Sequence, residues 1–224
     1  MNATFQTSFV LHSRPYKETS ALVDFFTPEG RYRAVLRKAR SKVGSIGRPF
    51  MPLEISLYGK GELKTVGYIE CIAAPYKLMG NNLFCGLYLN ELLVRLLPLE
   101  DAMPSLFKLY QQTLTYLTYE THIEPLLRSF EWQLANELGY GFSLMETGEG
   151  QPIKADSYYL FTMESGLQEI SQFQAGAFYG REILTMSMAD WTDKAALAAA
   201  KRLMRQILAI HLQGKPLVSR ELFK

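Results

Sequence analysis

The chain has 224 residues, 48% hydrophobic and 21% charged, with a formal net charge of only +2, a composition typical of globular proteins that bury one large core or a few small ones. It has no apolar run of the roughly 18 residues that a membrane span needs, and its first residues have neither a basic leader nor an apolar stretch long enough for a signal peptide. Cys71 and Cys85 are the only cysteines, which excludes a disulfide scaffold and points to a reducing cytoplasm with both thiols in the core.

The first eighty residues read as five strands at 5–13, 20–27, 31–38, 52–59 and 63–74, each rich in β-branched or aromatic residues and bounded by turn residues. Pro28-Glu29-Gly30 joins the second to the third, and Gly59-Lys60-Gly61 joins the fourth to the fifth. The 39–52 loop between them is rich in Gly, Ser and cations. Five short strands at this spacing suit a small Greek-key barrel such as the OB-fold. From about Met79 the period lengthens to 3.6, and 83–97, 103–120 and 123–138 read as helices. Residues 140–190 look mixed, with a hairpin of YYLFTM and LQEISQF across Glu164-Ser165-Gly166. A last helix at 193–212 ends before Gly214 and Pro216. The expected class is therefore α+β: an OB barrel at 1–79, helices at 80–140 and a mixed α/β region at 141–224.

Charge is segregated along this order. Residues 1–79 carry +6, residues 80–190 carry −9 and residues 191–224 carry +5, so the neutral total conceals two basic ends. The densest cluster is Arg31, Arg33, Arg37, Lys38, Arg40, Lys42 and Arg48, without an intervening acid. On a strand Arg31, Arg33 and Arg37 share one face, with Ala34 and Leu36 on the other. Positions two apart lie about 7 Å apart, compatible with successive phosphates of an extended single strand. Tyr32, Tyr58 and Tyr68 are candidate stacking faces, although alternation puts Tyr32 and Arg33 on opposite sides. In the last helix, at about 100° per residue, Lys201 and Arg205 share a stripe with Lys194, and Arg202 lies beside it. Lys215 extends the stripe into the tail. In the acidic middle, Arg128 lies among Leu127, Phe130 and Trp132, where a cation beside an apolar groove suits a partner's acidic, aromatic-bearing tail; pairing with Glu124 or Glu131 is the plainer alternative.

Signs of catalysis are scarce. His12, His122 and His211 are scattered, no phosphate-cradling glycine loop is present, and no carboxylate cluster of the kind a metal-dependent nuclease needs can be assembled. The residues point to a non-enzymatic polyanion binder, with an RNA-binding OB protein and a metal-dependent nuclease as alternatives.

Read as motifs, FVLHSRPYKETSALVDFFTPEGRYR, KARSK, GLYLNELLVRLL, FEWQLANELGYG and GKPLVSREL, in this order and almost end to end, resemble the RecO family of bacterial recombination mediators. The resemblance implies binding of ssDNA and dsDNA and annealing of complementary strands. It also implies contact with the acidic tail of single-stranded-DNA-binding protein, partnership with RecR, a functional link to RecA, and a cytoplasmic, nucleoid-associated location. Many members of the family carry a four-cysteine zinc module in the region matching 143–180. This chain has no cysteine there, so no metal or other cofactor is expected.

Overall fold

The computed structural model describes residues 4–39 and 47–223. The chain divides into two compact units, 1–121 with 217–224, and 122–216. The first two helices therefore group with the barrel and the third with the mixed region, whereas the sequence suggested three successive domains.

In the first unit, β1 (Phe5–Tyr16), β2 (Ser20–Thr27), β3 (Gly30–Leu36), β4 (Leu53–Tyr58) and β5 (Leu63–Cys71) close into a barrel in the order β1-β2-β3-β5-β4. This is the OB architecture. Every pairing is antiparallel except β3 with β5. The interior is filled by Val10, Ala21, Val23, Phe25, Ala34, Leu36, Leu53 and Ile55, the alternate residues of each strand. A register shift between Val10 and His12 lets β1 continue to Tyr16, beyond the Ser13 end expected from sequence.

The helices α1 (Gly80–Leu96) and α2 (Pro104–Leu117) complete this unit. The outward rings of Phe9 and Phe26 lie 5.3 to 5.9 Å from those of Phe107 and Tyr110. The buried Tyr110 hydroxyl donates to Asn90 Oδ1 (2.6 Å), and Asn90 donates to the Leu11 carbonyl (3.1 Å), so each polar group among these rings is satisfied. The β2–β3 turn sits against the α1–α2 loop. Gly30, at φ +112°, faces Asp101, whose carbonyl oxygen would be 2.3 Å from any added Cβ, so only glycine fits.

The chain returns to this unit in a 3₁₀ segment, Val218–Phe223, absent from the sequence expectation because its six residues carry no periodic signal. Glu91 on α1 caps it: the carboxylate accepts from the amides of Val218 (2.9 Å) and Ser219 (2.8 Å) and from the Ser219 hydroxyl (2.6 Å). Burial pushes the Glu91 carboxyl up, but the Ser219 and Val218 bonds and Arg95 outweigh it and hold the group below its usual range. A folded pKa below the unfolded one gives stability that is present above about pH 4.3 and lost as pH falls through the folded value. Glu91→Gln should therefore reduce the fall in melting temperature between about pH 5 and pH 3 seen in the parent. An identical acid profile in both proteins would remove Glu91 from this role.

The second unit holds α3 (Ile123–Glu137), a sheet ordered β7-β6-β8 from β6 (Tyr158–Thr162), β7 (Gly166–Ile170) and β8 (Phe178–Tyr179), then α4 (Gly180–Ser187) and α5 (Lys194–His211). The expected hairpin is present as β6–β7; the short α4 was not foreseen. Its core gathers Leu144, Ile153, Tyr159, Leu167 and Phe178 with the buried face of α5. Asp193 caps α5 through a 2.7 Å bond from the Ala196 amide. Among the described residues no helix is long and apolar enough to cross a membrane.

Candidate nucleic-acid interface

Alternation places Arg31 and Arg33 on the outer face of β3, opposite Ala34 and Leu36, and the two then diverge. At Arg31 that face is covered. Its Nη1 donates to Asp24 Oδ1 (2.7 Å), and its Nε and Nη2 both donate to the Leu97 carbonyl (3.1 and 2.9 Å). Burial lowers the Arg31 pKa, Asp24 opposes that, and Arg33 adds to it. The expectation of a phosphate contact at Arg31 is thus corrected: the residue is a buried clamp between barrel and α1. Arg33 donates through Nε to the same Asp24 oxygen (3.2 Å), yet 38% of its side chain is exposed.

Because paired residues share a face, register defines the rest of the surface. One transverse row holds His12, Asp24, Arg33 and Leu63; the next holds Arg14, Leu22, Val35, Thr65 and Tyr58. His12, Arg14, Leu63 and Tyr58 are exposed. The result is a strip of mixed polar and apolar side chains with cations at Arg14 and Arg33 and an open ring at Tyr58, the combination that lets bases stack while phosphates are neutralised. The β1–β2 turn adds Lys17, 5.4 Å from the Tyr16 ring, and Arg37 and Lys38 follow β3, both exposed. Arg14 lies one residue beyond the strand end expected at Ser13; the alternation His12, Arg14, Tyr16 is the signal that the strand continues. Arg48 is exposed, and Arg40 and Lys42 lie outside the described residues. Tyr32 pairs with the core residue Phe25, and the Tyr68 hydroxyl donates to Glu70 while its ring packs on Phe5. Of the three tyrosines, Tyr58 alone belongs to this strip.

Two cations of α5 are engaged within the second unit. Lys201 pairs with Glu124 (2.5 Å), and Arg202 pairs with Glu182 (3.3 Å) and lies over the Phe178 ring. The Lys201 bond holds the Glu124 carboxyl below its usual range against the upward push of burial, and Arg128 and the exposed Arg205 add smaller pulls in the same direction. Lys215 is exposed.

Arg128 is buried and pairs with Glu131 (2.8 Å), as the plainer alternative anticipated. Its Nε has no hydrogen-bond partner among the described residues, and with Trp132 it lines a cavity of about 400 Å³ that also includes Phe142, Met186, Trp191 and Met204. Leu127 and Phe130 do not line this cavity; both are buried, Phe130 completely, because α3 turns that face into the core. The cavity's other walls come from segments distant in sequence, beyond the reach of local periodicity.

Cys85 is buried, but Cys71, at the end of β5, is exposed, which corrects its assignment as a core thiol. In 143–180, where the family's zinc module is expected, there is no cysteine. Among the described residues no group of three or more His, Cys, Asp or Glu side chains is placed to hold a metal. The residues there do not fit a zinc site, and Leu144, Ile153, Tyr159 and Leu167 pack in that region instead.

Comparison with known proteins covers almost the whole chain. Residues 1–75 match the family model "Recombination protein O N terminal" and residues 79–221 match "Recombination protein O C terminal". The DNA repair protein RecO of Pseudomonas aeruginosa is 58% identical over 99% of this chain and 95% of its own length. That of Stutzerimonas stutzeri is 58% identical over 99% and 94%, and that of Pseudomonas putida 57% identical over 99% and 97%.

Proposed function

The chain belongs to the RecO family of DNA repair proteins, and on that premise we propose that it is a non-enzymatic recombination mediator whose barrel face holds DNA. The observation that carries the reading is the strip of Arg14, Arg33 and Tyr58 on one outer face of the barrel, set by strand register, with Arg14 and Tyr58 exposed and Arg33 partly so. An extended single strand crossing this strip stacks a base on Tyr58 and places phosphates against the two arginines, with Lys17, Arg37 and Lys38 at the margin. Duplex DNA reaches the same cations through its backbone. Annealing needs no nucleotide motif: neutralising the phosphates of two strands lowers their repulsion, and base pairing supplies the free energy.

The cavity at Arg128 has a second role. A buried guanidinium with an unfilled donor, set among tryptophan, phenylalanine and methionine side chains, suits a carboxylate next to an aromatic ring. That chemistry fits the acidic tail of single-stranded-DNA-binding protein. By holding that tail while the barrel holds DNA, and acting with RecR, the protein opens coated DNA to the RecA recombinase. The test is annealing of complementary strands coated with single-stranded-DNA-binding protein, compared with strands coated by its tail-deleted form. Faster annealing with the intact tail is expected, and replacing the buried pair as a neutral unit, Arg128→Gln with Glu131→Gln, should abolish that advantage while leaving annealing of bare strands unchanged. An equal loss on bare strands would sink the separation of roles.

A further inference from the structure

Asp24 stands out as a carboxylate with 6% of its side chain exposed, beneath a surface read as a DNA contact. Both of its bonds go through one oxygen, Oδ1, to Arg31 Nη1 at 2.7 Å and to Arg33 Nε at 3.2 Å. Arg31 is itself fixed by two bonds to the Leu97 carbonyl. The line Leu97, Arg31, Asp24, Arg33 thus runs from the end of α1 to the exposed strip. Arg33 is held by Nε alone, and its two terminal amino groups have no partner among the described residues. A free arginine gives up rotamer freedom when it grips a phosphate; one held at Nε has already lost most of it, and its planar head is still able to make two parallel bonds.

We propose that Asp24 is a positioning residue that orients Arg33 toward a DNA phosphate. The inference rests on the reading of the barrel face as the DNA contact. It makes a counterintuitive demand, because Asp24 is the wrong charge to lie under a polyanion. If charge alone governed the surface, Asp24→Asn would tighten binding. If Asp24 orients Arg33, the same substitution weakens it.

The experiment is a double-mutant cycle with a fluorescein-labelled single-stranded oligonucleotide, using the full chain as parent, Asp24→Asn, Arg33→Ala and the pair. Asp24→Asn should weaken binding about three- to tenfold and cause no further loss in the Arg33→Ala background, because its effect passes through Arg33. A merely structural role for Asp24 would lower affinity in both backgrounds. Should Asp24→Asn fail to fold, Arg31→Met with Asp24→Asn removes the buried ion pair as a neutral unit and enters the cycle in its place. Binding as tight as the parent's, or an undiminished loss beside Arg33→Ala, overturns the positioning role alone. An unchanged affinity for Arg33→Ala by itself overturns the reading of the face, and the inference with it.

Discussion

Arg31→Ala is expected to cost about 3–5 kcal/mol of stability, seen as a fall in melting temperature of about 10–20 °C for a unit of this size. The guanidinium satisfies the Asp24 carboxylate and the Leu97 carbonyl at once, and both acceptors are shut off from water. Truncation leaves one buried charge underpaired and one carbonyl without these donors, and it empties the volume under the α1–α2 loop. Single-stranded DNA affinity, measured well below the new melting temperature, should stay within about threefold of the parent, since no DNA contact is removed and Asp24 still holds Arg33. A stable Arg31→Ala protein that has lost DNA binding would return Arg31 to the contact surface.

The opposite signature is expected on the strip. Arg14→Ala with Arg33→Ala should weaken single-stranded DNA binding about 100-fold, roughly tenfold for each charge-assisted phosphate bond lost, with little change in melting temperature. Both side chains lie at the surface, where truncation usually costs under about 0.5 kcal/mol. Tyr58→Ala should reduce single-strand affinity about tenfold and leave duplex affinity near the parent's, because paired bases offer no free face for stacking. Lys201→Ala with Arg202→Ala serves as a comparison: these cations are already engaged by Glu124 and Glu182, and their removal should change affinity by no more than about twofold. Anisotropy of a labelled oligonucleotide at one fixed salt concentration reads all of these. Loss of binding from the α5 pair instead of the barrel pair would move the interface to the second unit.

The barrel and the helices were legible because each leaves a local signature. Five strands with Pro28-Glu29-Gly30 and Gly59-Lys60-Gly61 between them, and helices whose apolar residues recur at 3.6, need no knowledge of what packs where. The basic run was legible too, but its meaning was not. Alternation correctly put Arg31 and Arg33 on one face, yet it carries no information on which portion of that face a later helix covers. Arg31 faces a loop 66 residues away, and nothing in its neighbours announces that. Arg14 falls outside the expected site for the converse reason: the first strand is expected to end at Ser13, whereas in the barrel a register shift between Val10 and His12 carries the pairing on to Tyr16. At Arg128 the local pattern offered the ion pair as the plainer alternative and set Trp132 beside the arginine, where both line the cavity. It misassigned Leu127 and Phe130, because a cavity wall and a core face on one helix differ only in what lies opposite.

The central claim is that the barrel strip neutralises DNA phosphates through Arg14 and Arg33. The measurement that tests it most directly is the slope of log affinity against log salt for single-stranded DNA, in the parent and in the Arg14→Ala, Arg33→Ala protein. The account predicts a steep negative slope in the parent and one shallower by about 1.4 in the variant, two phosphate contacts at about 0.7 each. Equal slopes in the two proteins would contradict it.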